Sequence, residues 1–301
     1  MKNAVCALVL LLALTTPVLA QAATQKPAHR KAATAAATTE KWPTVQDVTF
    51  HSASLGRDMH YRILLPADYA QSTRRYPVVY LLHGLYGSHE NWETRTNVVK
   101  YARALPIIIV MPDAGDSWYV NSATQPQDRY EDYIIKDLLT EVENRFRVLR
   151  LRSARMIAGL SMGGYGALKF ALKNPQTFGM AASMSGAFNA PAELGAERPD
   201  FAQKLQEVFG ELQSAARTDN DLLLLIAKQK PGAVPYLYID CGTADYFLAA
   251  NRRVAAALAA QHVAYEYHEL PGIHDWEFWN RQVESVLSKF AGRAMAESKL
   301  N

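Results

Sequence analysis

Gly159-Leu160-Ser161-Met162-Gly163 has the spacing G-x-S-x-G. That pattern fits a sharp strand-to-helix turn with a serine at its apex. The glycines leave room for the tight approach of strand and helix. The turn lifts the serine Oγ clear of a sheet. It also leaves the first N–H groups of the following helix unpaired beside a reacting carbonyl. A serine hydroxyl is a weak nucleophile without a base, and a histidine base needs a carboxylate to fix its tautomer. On a sheet of this class the acid and then the histidine follow the serine in the chain. Asp245 closes Gly242-Thr243-Ala244-Asp245, just after an apolar strand, and is the expected acid. His274 stands in Pro271-Gly272-Ile273-His274-Asp275, before the last helix, and is the expected base.

Competing residues read differently. Asp240 lies within the strand, and Asp275 reads as the cap of the last helix. His268 falls in an alternating strand, and His262 at a helix end. His83, at the end of a central strand, reads as a buried, hydrogen-bonded histidine. Cys241 ends a buried strand and reads as a packed thiol. A developing oxyanion needs two donors. The Met162 backbone N–H supplies one. In His83-Gly84-Leu85-Tyr86-Gly87-Ser88 the natural second donor is the Leu85 N–H. Asp113 and Asp116 lack a histidine or cysteine companion at ligand spacing. They read as braces for the loop carrying Trp118 and Tyr119, and no metal or cofactor is expected.

The elements that must position these residues alternate along the chain. Apolar runs at 76–84 and 105–111 have the signature of strands covered on both faces. Further strands are expected at 59–66, 154–158, 179–185, 234–241 and 263–270. Helical spacing marks 91–104, 130–148, 163–173, 251–261 and 276–290. Strand and helix in alternation predict an α/β fold with a mostly parallel central sheet flanked by helices on both faces. Residues 190–232 interrupt the rhythm and read as an insertion above the sheet.

The 301 residues suit one large domain, and a formal net charge of +3 gives no support for a nucleic-acid partner. Met1-Lys2-Asn3, the apolar stretch Ala4–Leu14 and small residues near Ala20 and Ala22 predict a signal peptide over 1–22 and export to the periplasm or medium. The apolar run is too short for stable membrane insertion. Residues 23–41 read as an Ala/Thr-rich linker, 42–294 as a single catalytic domain, and 295–301 as a tail.

Taken together, these motifs resemble the esterase family of α/β-hydrolases that holds antigen 85 mycolyltransferases, esterase D, feruloyl and acetylxylan esterases, S-formylglutathione hydrolases and siderophore esterases. The resemblance rests on Leu82–Ser88 with Asn91-Trp92, on Met111–Tyr119, on Gly159–Gly166, on Asp240–Asp245 and on Gly272–Trp276. It implies an α/β-hydrolase fold and a triad of Ser161, Asp245 and His274, with Leu85 and Met162 as oxyanion donors. It also implies a serine esterase acting through an acyl-enzyme. Export favours short-chain or aryl esters, small or carbohydrate-linked. Acyl transfer of the mycolyltransferase type, a formylglutathione-like thioesterase and a siderophore esterase are the alternatives. Trp118, Tyr119, Tyr246 and Trp276 are the candidate substrate-binding residues, because aromatic side chains cluster in the matching loops.

Overall fold

The computed structural model describes residues 41–230 and 232–298. The expected signal peptide, nearly all of the expected linker and the last three residues of the expected tail lie outside the described residues. The strands are β1 (Thr44–Ser52), β2 (Arg57–Leu65), β3 (Val78–Leu82), β4 (Ile108–Pro112), β5 (Arg155–Leu160), β6 (Met180–Met184), β7 (Tyr236–Gly242) and β8 (Tyr265–Leu270). They form one eight-stranded sheet in the order β1-β2-β4-β3-β5-β6-β7-β8. The β1–β2 and β2–β4 pairs are antiparallel. Every pair from β4 onward is parallel.

Burial explains the strand compositions. Every residue of β3, β4, β5 and β6 is buried, so both faces demand apolar side chains. The edge strand β8 is half-buried along its length and alternates Tyr265 and Tyr267 with Glu266 and His268. β1, the opposite edge, had no apolar run to announce it. Its polar residues face water, and pairing with β2 over nine residues defines it.

The helices are α1 (Asn91–Arg95), α2 (Val98–Tyr101), α3 (Tyr130–Asp132), α4 (Leu139–Arg145), α5 (Met162–Lys173), α6 (Leu194–Glu197), α7 (Pro199–Phe209), α8 (Ala215–Asn220), α9 (Leu222–Ala227), α10 (Leu248–Ala260) and α11 (Trp276–Ser298). Two apolar cores lie against the sheet. One joins α5, α9 and α10 with the α3–α4 segment. The other joins α11 with Trp92 and Val98. No described helix is long and apolar enough to cross a membrane.

Three sequence expectations differ in detail. The helix expected over 91–104 breaks at Thr96, which is extended, and the Asn97 amide donates to Asn280 Oδ1 at 2.7 Å. The helix expected over 130–148 ends at Arg145, and its middle, Tyr133–Leu138, is wound as a π-helix. The last helix, expected over 276–290, continues to Ser298. The insertion is built from α6 to α9.

The junction between β5 and α5 is tightly packed. A Cβ added at Gly163 would lie 2.5 Å from the His83 carbonyl oxygen and 2.6 Å from that of Leu82. Those are backbone atoms of the neighbouring strand end, so they cannot move aside alone. Gly163→Ala is expected to lose about 1–3 kcal/mol of stability and to lower Tm. Gly292→Ala, on α11 with nothing within 4 Å of the new Cβ, should gain up to about 1 kcal/mol from helix propensity. Equal Tm for both variants by thermal unfolding would contradict this packing.

Candidate active site

Ser161 caps α5 with φ 51° and ψ −117°. A non-glycine residue in this region is strained by roughly 1–3 kcal/mol. Three backbone bonds hold it there. The Ser161 amide donates to the Met184 carbonyl at 3.0 Å. The Ser161 carbonyl accepts from Tyr165 at 3.0 Å and from Ala187 at 3.1 Å.

The structure brings Ser161, His274 and Asp245 into one hydrogen-bonded chain. His274 Nε2 lies 3.0 Å from Ser161 Oγ. Its Nδ1 lies 2.9 Å from Asp245 Oδ2. Asp245 Oδ1 accepts from the Phe247 amide at 2.8 Å. A carboxylate can only accept, so Nδ1 carries the proton and Nε2 is free to accept the serine proton. The three side chains follow the carboxyl ends of β5, β7 and β8, the end of a parallel sheet where ligands bind. Three aromatic rings box the imidazole. Tyr246, Trp279 and Phe247 have centroids 4.5, 4.8 and 5.1 Å from it.

The candidate oxyanion donors flank Ser161. Met162 opens α5, and Leu85 lines the cavity above Ser161. Neither amide donates to another protein group among the described residues. His83 fixes the direction of the Leu85 amide. The Ala114 amide donates to His83 Nε2 at 3.0 Å, so Nδ1 carries the ring proton and donates to the Gly84 carbonyl at 2.7 Å. The Gly84 carbonyl and the Leu85 N–H belong to one trans peptide and point in opposite directions. Holding the first inward turns the second outward. Burial lowers the His83 pKa, which keeps the ring neutral and this pattern intact. The Tyr119 hydroxyl donates to the His83 carbonyl at 2.9 Å, and Asp116 accepts from the Tyr86 amide at 2.7 Å.

A cavity of about 400 Å³ opens over Ser161. Of the four expected substrate-binding residues, Trp118, Tyr246 and Trp276 line it. Tyr119 does not. It is fully buried beside Gly166, and its ring supports the strand end that carries His83. Trp279 and Phe247 also line the cavity, as do Leu194 and Phe201 from the insertion. Asp116 braces the loop that carries Leu85 and Tyr86 rather than the Trp118 segment. Asp113 accepts from the Gly115 amide at 3.0 Å and bonds His89.

One family, described as "Putative esterase", matches residues 52–290. The chain belongs to this esterase family. It is 26% identical to an acetyl esterase of Caldicellulosiruptor saccharolyticus over 80% of this chain and 96% of that one. Its fold matches FphF, a fluorophosphonate-binding serine hydrolase of Staphylococcus aureus, with a TM-score of 0.75 and 28% identity, over 83% of this chain and 98% of that one. A ferulic acid esterase matches with a TM-score of 0.72 and 26% identity, over 84% and 99% of the two chains. The protein is a serine-type carboxylic-ester hydrolase.

In this esterase the competing residues are engaged elsewhere. Asp275 Oδ1 accepts from the Phe278 amide at 2.8 Å and caps α11. His268 bonds Glu266 at 2.6 Å. Cys241 is buried, and burial raises its thiol pKa. Asp240 is fully buried, and neither carboxylate oxygen has a hydrogen-bond partner. Burial raises its pKa well above the usual carboxylate value, so the folded protein keeps a proton that the unfolded chain has lost above about pH 4. Its contribution to stability is therefore complete at lower pH and falls as pH rises, by about 1.4 kcal/mol per pH unit, until the folded carboxyl ionises.

Asp240→Asn removes that dependence. Its stability relative to wild type should grow with pH above about 4, with kcat near that of wild type. Asp245→Asn should instead cut kcat by about 10⁴, as in serine proteases. Denaturant melts at several pH values and steady-state kinetics on both variants check the pair. Loss of kcat in Asp240→Asn with retention in Asp245→Asn would reverse the assignment.

Proposed function

We propose that this esterase hydrolyses short-chain or aryl esters outside the cytoplasm, with Ser161 as nucleophile, His274 as base and acid, and Asp245 as the orienting carboxylate. Ser161 Oγ attacks the ester carbonyl carbon while His274 Nε2 takes its proton. The Leu85 and Met162 N–H groups receive the developing oxyanion. Collapse expels the alcohol, which takes the proton from His274, and leaves an acyl-serine. Water then repeats the sequence, giving the carboxylic acid and regenerating Ser161.

The observation that carries the substrate reading is the cavity. About 400 Å³ is near the small end of the range for ligand pockets, roughly 300–1,000 Å³. Trp118, Tyr246, Phe247, Trp276 and Trp279 supply flat walls, which suit an aryl or acetyl group better than a long flexible chain. The apolar stretch Leu222–Ile226 offers no alternative tunnel. Leu222, Leu225 and Ile226 are buried, and α9 packs against α5 and α10. The relatives named acetyl esterase and ferulic acid esterase agree with this range. Action outside the cytoplasm is supported by the signal-peptide pattern of residues 1–22.

Acetate, butyrate, octanoate and palmitate esters of 4-nitrophenol, with methyl ferulate alongside, test the reading. kcat/KM should be highest for the two shortest acyl groups and decline steadily, since each methylene changes discrimination by only about 1–3 kcal/mol. Methyl ferulate should be turned over. An optimum at octanoate or longer would contradict the short-acyl proposal.

A further inference from the structure

Arg95 is exposed on α1 and lines the same cavity as Ser161. Its guanidinium lies over the Trp276 ring, 5.9 Å from the centroid. Trp276 meets Trp279 at 5.3 Å, and Trp279 meets the His274 ring at 4.8 Å. One wall therefore runs from the cation through two indoles to the proposed base. Its foundation is firm. Trp92, on the same short helix, is buried and donates from Nε1 to the Leu82 carbonyl at 3.0 Å. Trp276 also meets Trp92 edge-on at 5.7 Å.

The acids around Arg95 are committed elsewhere. Glu93 and Glu90 both pair with Arg62. Glu277 pairs with Arg281 at 2.7 Å, and the Asp275 carboxylate caps α11. Arg198 lies over Tyr246, which lines the cavity, but pairs with Asp200 at 2.7 Å. Arg95 forms no ion pair among the described residues, and no Asp or Glu lines the cavity. A guanidinium stacked on an indole keeps its fork of N–H donors free for a planar anion.

We propose that Arg95 selects esters carrying an anionic group, a carboxylate or phosphate, on the arm of the substrate that reaches the Trp276 wall. The proposal rests on the esterase reading of the site. It deepens that reading by adding charge to the substrate class. Anionic esters gain a charge-assisted bond at the cavity rim. That gain weakens with salt, because the site is open to solvent.

Two matched pairs of esters test it. 4-Nitrophenyl hemiadipate against 4-nitrophenyl hexanoate places the charge on the acyl arm. 4-Acetoxybenzoate against 4-acetoxybenzamide places it on the alcohol arm. kcat/KM is measured for wild type, Arg95→Gln and Arg95→Lys at low and high ionic strength. Dividing the anionic-to-neutral ratio of wild type by that of Arg95→Gln cancels intrinsic reactivity. The result should be about fivefold to tenfold for at least one pair at low salt. It should shrink at high salt, and Arg95→Lys should retain part of it. The pair that responds identifies the arm. A double ratio near one for both pairs overturns the proposal while hydrolysis of the neutral esters leaves the esterase reading standing. If wild type hydrolyses none of the four, both fail. Should Arg95→Gln not fold, the wild-type ratios decide alone: no change with salt in either pair overturns the proposal.

Discussion

The left-handed backbone at Ser161 is the constraint on which the rest of the site depends. With φ at 51°, the residue turns the chain from β5 into α5 so abruptly that a side chain is crowded out two residues away on either side, at Gly159 and Gly163. A Cβ at Gly159 would lie 2.5 Å from the Gly163 carbonyl group. Such strain, roughly 1–3 kcal/mol, persists only where surrounding structure over-determines it. Here the neighbouring strand end and the 185–187 turn do so through bonds to both the amide and the carbonyl of Ser161. The same turn supplies the helix N-terminus at Met162. The proposed nucleophile and one proposed oxyanion donor thus follow from one backbone feature.

A second layer of contacts fixes the other proposed donor. His83, Tyr119 and Lys169 form a buried series behind the loop that carries Leu85. Lys169, fully buried on α5, donates to the Tyr119 carbonyl and pairs with Glu131 at 2.7 Å. Burial brings its pKa down to about 8, opposed by the Glu131 carboxylate. Glu131 also pairs with Lys173 at 2.6 Å. It sits just before the π-helical turn at Tyr133–Leu138, and π-helical turns are frequent at functional sites. The helix after the nucleophile and the loop carrying Trp118 and Tyr119 are thereby tied together. Trp118 and Tyr119 themselves take left-handed φ values of 54° and 57°, which lets one indole face the cavity while the adjacent phenol turns into the core.

The residues proposed for the reaction centre could be picked out in the sequence because local rules single them out. The glycine spacing around Ser161 and the positions of Asp245 and His274 after strand ends needed no tertiary information. The parallel sheet was legible for the same reason, since runs such as Ile107–Val110 have only one comfortable setting. What escaped was set by long-range packing. Nothing near Tyr119 signals that its ring lies under His83, which stands 36 residues earlier in the chain. β1 carries no apolar run, because only its partner strand defines it. Leu194 and Phe201 reach the cavity from the insertion, whose sequence shows helical spacing without showing where its helices dock. Arg95 looks like any surface cation until the positions of Arg62 and Arg281 reveal where the nearby acids have gone.

The central claim, that the strained serine is the nucleophile, is tested most directly by covalent labelling. An alkyl fluorophosphonate is reacted with the wild-type enzyme, and the adduct is located by intact-mass and peptide mass spectrometry. One adduct per chain is predicted, on Ser161, with hydrolysis lost in proportion to labelling. Ser161→Ala should take up no label and hydrolyse no ester while keeping its cooperative thermal transition. Labelling of a different residue in step with loss of activity, or undiminished hydrolysis by folded Ser161→Ala, would contradict the account.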